Sequence, residues 1–179
     1  MPYYTGKGDK GFSDTMGRGR LEKSDSIFAA IGDVDELNSA IGVALYYTHD
    51  DLVRSELKMI QNDLFIIGAD IASLQDAKTE KTNLGNGAVE RLEKVIDDMA
   101  KRIPELKKFV LPGGSEAAVH LHLARSVARR AERSVIVASE KHEIGPNLKS
   151  YMNRLSSYLF VAAIYLNYTE GIKESHPTY

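Results

Sequence analysis

The chain of 179 residues has no cysteine. That excludes disulfides, thiolate metal sites and cysteine nucleophiles, and it is compatible with a reducing cytoplasm. It also lacks a long apolar run: the longest nearly apolar stretch, Tyr158 to Tyr168, is too short to cross a bilayer. The N-terminal residues Met1 to Lys7 show neither the apolar stretch of a secretion signal nor the arginine- and serine-rich character of a transit peptide. A soluble, cytoplasmic protein is therefore expected. Net charge is small, at -2, which argues against a general nucleic-acid binder. Hydrophobic content of 43% with 27% charged residues is ordinary for a globular domain, and the length suits one domain with a sizeable core.

Against that even background, one stretch concentrates charge. Residues Arg125, Arg129, Arg130 and Arg133 fall within nine positions. On a helix, Arg125, Arg129, Glu132 and Arg133 share a stripe at i, i+4, i+7 and i+8. Leu121, Ala124, Ala128, Ala131 and Val135 fall on a neighbouring stripe that reads as core. The guanidinium groups thus stand beside the apolar seam, and their planar forks suit phosphate or carboxylate oxygens. The bland alternative is a solvated face tied by Arg–Glu pairs.

Apolar periodicity places five helices, each expected to run sixteen residues or more. The first, capped by Ser24 or Asp25, carries Ile27, Ala30, Ile31, Val34, Leu37, Ile41, Ala44 and Leu45 inward. A second starts near Asp50 or Asp51 and uses Val53, Leu57, Ile60, Leu64, Ile67 and Ile71. A polar loop follows over 75–87. The third uses Val89, Leu92, Ile96, Met99 and Ile103 and is stopped by Pro104. The arginine helix opens at Ser115 and runs to about Glu140. The last, after Gly145-Pro146-Asn147, buries Leu148, Met152, Leu155, Leu159, Ala162, Ala163 and Leu166. The fold class expected is an all-α five-helix bundle over 25–168. Before it lies a glycine-rich extended loop over 1–24, and after it a loose tail over 169–179.

Gly6, Gly8 and Gly11 spell a formal G-x-G-x-x-G. The dinucleotide reading needs a preceding strand and a βαβ unit, and only five residues precede it. No Gly-Lys pair is followed by Ser or Thr, so a Walker A loop is excluded too. What remains is physical: glycines admit backbone N–H groups close to a ligand, and Lys7 and Lys10 add charge. A phosphate-cradling loop and a plain flexible terminus are both consistent with this. Asp33, Asp35 and Glu36 stand two turns into the first helix. Asp35 pairs with an arginine of the central helix, or one of the three carboxylates holds magnesium through water. His120 and His122, two apart, cannot share a helix face as a metal pair, and His120 reads as the interior histidine. No Ser-His-Asp arrangement can be defended.

Six segments in order carry a resemblance. They are Tyr4-Thr5 with Gly8-Asp9-Lys10-Gly11; Val34-Asp35-Glu36-Leu37-Asn38 through Gly42; Gln61 to Phe65 with Gly68-Ala69-Asp70; Phe109 to Ser115; Ala124 to Arg133; and Tyr151 to Ser156. Together they resemble the PduO-type ATP:cob(I)alamin adenosyltransferases. The resemblance implies a five-helix bundle assembled as a homotrimer, with ATP between the N-terminal loop of one subunit and the central helix of the next. It implies that Thr5, Gly6, Lys7, Gly8, Ser13 and Asp14 wrap the nucleotide, that Lys23 reaches its phosphates, and that Arg129, Arg130, Ala131, Glu132, Arg133 and Asn153 complete the site. Magnesium is expected on the phosphates, not on a protein metal site. Asp35 is expected to pair with Arg125 across the interface, and Phe109 to occupy the lower axial side of the corrin; these three with Arg129 are the residues expected to act in catalysis. The implied partners are ATP and cobalamin, a flavoprotein reductase and a cobalamin-dependent enzyme. Where relatives often read Thr-Arg-Thr-Gly, this chain has Thr5-Gly6-Lys7-Gly8, with the basic residue displaced by one. A non-catalytic module that binds or delivers ATP or adenosylcobalamin, or a structural trimer, are the other classes such residues could serve.

Overall fold

A computed structural model describes residues 3–15, 19–73, 84–85 and 87–178. Five helices carry the chain: α1 (Ser26–Tyr47), α2 (Asp51–Ser73), α3 (Gly87–Ala100), α4 (Glu116–Ser139) and α5 (Pro146–Thr169). The helical expectation holds in every element. Three of the starts have a visible physical cause. Asp25 accepts the Ile27 N–H at 3.0 Å to cap α1, and Ser115 accepts the Ala118 N–H at 3.3 Å to cap α4. Pro146 supplies a preset φ at the first turn of α5.

Two boundaries differ from the sequence reading. Helix α3 spans 14 residues, not sixteen or more, and stops three residues short of Ile103. The last turn is closed by Lys101 and Arg102 N–H groups on Asp97 and Met99 carbonyls. The residue before a proline avoids helical backbone, so the helix ends upstream of Pro104. The second difference lies in the loop expected over 1–24. It contains a two-stranded antiparallel hairpin, β1 (Phe12–Thr15) and β2 (Gly19–Glu22), in the register Phe12↔Glu22 to Thr15↔Gly19. Gly17 and most of the 75–87 loop lie outside the described residues.

Helix α4 lies at the centre, between α1 and α5; α2 packs on α1, and α3 on α5. The centre is built from small residues. Ala117, Ala118, Ala124, Ala128, Ala131 and Ala138 of α4 are buried, as are Ala30 and Ala44 of α1 and Ala162 and Ala163 of α5. Short side chains let the helix ridges interlock closely, while leucines and isoleucines of α1, α2 and α5 fill the rest.

A polar cluster closes the bundle between α2, α3 and α5. Arg91 donates from Nε to Glu56 Oε1 at 2.8 Å and from Nη2 to Asp63 Oδ2, which also accepts the Tyr151 hydroxyl at 2.8 Å. Burial pushes the Glu56 carboxyl up against the pull of Arg91, and the two carboxylates raise Arg91 against its own burial.

Over its described length the tail makes hydrogen bonds to the bundle and to the loop before α4. Ile172 N–H donates to the Asn167 carbonyl, and the Leu111 N–H donates to the Ser175 carbonyl, each at 2.8 Å. Among the described residues, no helix is long and apolar enough to cross a membrane.

Candidate active site

The N-terminal arm gathers several of the expected nucleotide residues. Gly6 and Gly11 have φ of 65° and 81°, the left-handed region that glycine enters without penalty. They shape consecutive turns in which Asp9 N–H meets the Gly6 carbonyl and Gly11 N–H meets the Gly8 carbonyl. Lys23 N–H then donates to the Gly11 carbonyl at 2.8 Å. Its ammonium lies so close over Gly8 that a β-carbon there would stand 3.0 Å from Nζ. Thr5, Gly6, Lys7, Gly8 and Lys23 are thus brought to one place. Arg20, which sequence reasoning missed, donates from Nη2 to the Lys7 carbonyl at 2.7 Å and lies over the Phe12 ring. Ser13 and Asp14 are successive residues of β1, so their side chains point to opposite faces. Ser13 pairs with Leu21, which packs towards the core, and Asp14 pairs with Arg20.

Helix α4 sorts the arginines by their neighbours. Arg130 meets Asp33 Oδ1 from Nε at 3.2 Å and donates from Nη2 to Glu36. That bond holds the Glu36 carboxyl below the usual carboxylate range. Ser134 donates its hydroxyl to the other oxygen of Asp33. Two of the three acidic residues read from the sequence therefore meet the central helix, and Asp35 is not one of them. Arg129 and Arg133 are exposed and have no carboxylate partner among the described residues. Beside them, Asn153 donates to Glu132 Oε1 at 2.8 Å, and its own carbonyl accepts from Arg154, which also pairs with Glu93 at 2.8 Å. Ala131 is fully buried. Its methyl packs in the core and its backbone lies in mid-helix.

Phe109 and Arg125 share a recess of about 600 Å³ with Leu106, Lys107, Lys108, Val110 and Phe160. The Phe109 ring is 79% exposed. Arg125 has its guanidinium over the Phe160 ring at 5.9 Å, and its buried Nε has no partner. Asp35 lines a different recess of about 340 Å³ between α1 and α2, with Gly32, Asn38, Phe65 and Gly68. Within one chain, then, Asp35 and Arg125 are not brought together.

The histidines exchange roles relative to expectation. His122 is the interior one, buried near Phe160 and lowered by that burial, then by the Arg125 charge. His120 stacks on Tyr47 with ring centroids 4.6 Å apart. Among the described residues, no three acidic, histidine or cysteine side chains gather as a metal site.

A glycine-shaped basic arm, exposed arginines on the central helix and an aromatic-walled recess offer cations and apolar surface of the kind a polyanionic substrate would use. The chain belongs to the cobalamin adenosyltransferase family, whose model matches residues 3–166. It is 43% identical to the corrinoid adenosyltransferase of Bacillus subtilis over 96% of this chain and 90% of that one. It is 39% identical to the human corrinoid adenosyltransferase MMAB over 96% of this chain and 71% of that one. Its fold matches a phenylalanine-to-alanine variant of the PduO-type ATP:corrinoid adenosyltransferase from Lactobacillus reuteri, complexed with cobalamin and ATP. There the TM-score is 0.94 at 35% identity, covering 99% of this chain and 100% of that one.

Proposed function

We infer that this chain transfers the 5′-deoxyadenosyl group of ATP to the cobalt of cob(I)alamin, giving adenosylcobalamin and triphosphate. The observation that carries the reading is the contrast along α4: Arg130 is paired with Asp33 and Glu36, whereas Arg129 and Arg133 stand exposed with no carboxylate partner among the described residues. Unpaired guanidinium groups beside a basic arm suit a departing polyanion.

The chemistry needs little else from the protein. The cobalt(I) electron pair forms the bond to C5′, the C5′–O bond breaks, and triphosphate leaves with the charge. The nucleophile resides in the substrate, so no catalytic base is required. Stabilisation must grow as charge develops on the leaving group, and fixed cations in place before reaction provide it. Arg129 and Arg133, with Lys7 and Lys23 from an arm, take that role, and Glu132 with Asn153 borders the same site. Magnesium would supply further charge neutralisation; among the described residues no group of three acidic or histidine side chains gathers to hold it, so its ligands would be phosphate oxygens and water. Phe109, exposed in its recess, occupies the lower axial side of the corrin and excludes the dimethylbenzimidazole ligand. The four-coordinate cob(II)alamin so formed is easier to reduce.

The complete site lies between subunits of a homotrimer. Support comes from exposed apolar side chains on the same helix as the arginines, Val119, Leu123, Ile136 and Val137, which a neighbouring subunit would cover. Asp35 meets Arg125 of a neighbour in that assembly, which would also satisfy the unpartnered Nε. The protein works in the cytoplasm, with a flavoprotein reductase supplying the electron and a cobalamin-dependent enzyme receiving the product.

Anaerobic incubation with ATP and chemically reduced cobalamin tests the activity. The absorbance of the adenosylated product should appear with the wild type; no change in absorbance at any ATP concentration would overturn the reading.

A further inference from the structure

The strongest polar construction outside the arginine helix holds the loop that carries Phe109. Asn167, in the last turn of α5, is fully buried. Its Oδ1 accepts the Ser115 N–H at 3.0 Å, and its Nδ2 donates to the Gly113 carbonyl at 3.1 Å and to Glu174 Oε1 at 3.0 Å. One amide thus engages both ends of the Gly113–Ser115 turn and the C-terminal tail together. The fit leaves no room: Gly114 has φ of 111°, and a β-carbon there would collide with the Asn167 amide. The tail adds two further ties. Leu111 N–H donates to the Ser175 carbonyl at 2.8 Å, and His176 Nδ1 lies 2.8 Å from the Phe109 carbonyl. A carbonyl can only accept, so Nδ1 carries the proton.

We propose that Asn167, with Gly114 opposite it and the tail segment 174–176 alongside, is a positioning residue that fixes the Phe109 loop and thereby sets how completely Phe109 displaces the lower cobalt ligand. The inference rests on the role of Phe109 given above. An exposed aromatic ring at the tip of a glycine-rich loop has little packing of its own to hold it. Its placement must come from the backbone, and every backbone tie named here leads to Asn167 or to the tail. A small shift of a positioning group costs large factors in rate because the displaced ligand competes for the same space. The three hydrogen bonds of Asn167 also explain a neutral amide at this buried position. An aspartate could accept from Ser115 but could not donate to Gly113, and it would face the Glu174 carboxylate.

The test compares N167A, E174A/H176A and F109A as full-length proteins, measuring steady-state kinetics and the electron paramagnetic resonance signature of four-coordinate cob(II)alamin in the presence of ATP. N167A is expected to lower kcat roughly ten- to a hundredfold with KM for ATP unchanged, and to lower the four-coordinate fraction in parallel. E174A/H176A alters only tail side chains, removes both of their ties to the loop, and keeps the proposal testable should N167A fold poorly; it is expected to show the same change, smaller. Loss of the signature in F109A but its full retention in both other proteins would overturn the positioning role while leaving Phe109 in place. An unchanged signature in F109A would overturn the Phe109 reading and this inference with it. A fall in thermal stability with normal kcat and a normal signature would assign Asn167 to the fold alone, and that too would overturn the proposal.

Discussion

Arg91 on α3 lies among Glu56, Asp63 and the Tyr151 hydroxyl, whereas Arg129 and Arg133 on α4 are exposed and, among the described residues, form no ion pair with a carboxylate. The same side chain has two kinds of surroundings, and the difference is in what completes it. Around Arg91, two carboxylates accept from Nε and Nη2 and offset its charge. Around Arg129 and Arg133 the donors remain available. Arg130, on the same helix, sits between these limits because Asp33 and Glu36 reach it from α1. Completion by the protein serves the fold; incompletion leaves a place for a substrate.

The largest test of that contrast is at Arg91. Arg91→Ala leaves two carboxylates in a largely buried site, and it should destabilise the protein by about 3–5 kcal/mol in urea unfolding. Protein that remains folded should keep its KM for ATP. Arg129→Ala should do the reverse: kcat/KM falls roughly a hundred- to a thousandfold while the unfolding midpoint stays within error of the wild type. R129K should recover part of the loss, since a point charge replaces the fork. Equal loss of stability in the Arg91 and Arg129 variants would erase the distinction. Arg130→Ala should change kcat/KM by less than about tenfold, because its exposed ion pairs occupy it in the chain itself.

The smallest effect concerns the cap of α1. Asp25 is lowered by the Ile27 N–H it accepts, then by His142, whose Nε2 lies 2.8 Å away. A lowered folded-state value contributes stability above the ordinary aspartate range and loses it as pH falls through the lowered value. Acid titration of unfolding stability should show that loss in the wild type, and D25N should flatten it while keeping the cap. At neutral pH, D25A should cost about 1 kcal/mol and D25N less.

Helix faces were legible because a 3.6-residue period shows in any single segment: Leu121, Ala124, Ala128, Ala131 and Val135 are all fully buried as their spacing predicts. The hairpin was not, since its strands are four residues long and only Phe12 and Leu21 give an apolar signal. Asn167 escaped notice for a different reason. Its two partners in the loop before α4 are 52 and 54 residues away, and no local pattern encodes such a bond. The only available hint was an amide among the apolar residues of the last helix. Which arginine of the basic run faces α1 was likewise hidden, because Arg129 and Arg130 differ by one step of 100° and the position of the neighbouring helix decides between them. The residues that form the arm were visible as a group, but not that Lys23 folds back over Gly8.

A ribbon of two four-residue strands cannot sustain itself in water without help, and here the apolar side chain it lends to the bundle is Leu21. Its amides should therefore trade hydrogen for deuterium long before those of α4, in an opening that leaves the helices intact. Exchange in that order would mark the strands as the weakly held part of the arm and the alanine-packed interior as the part that opens last.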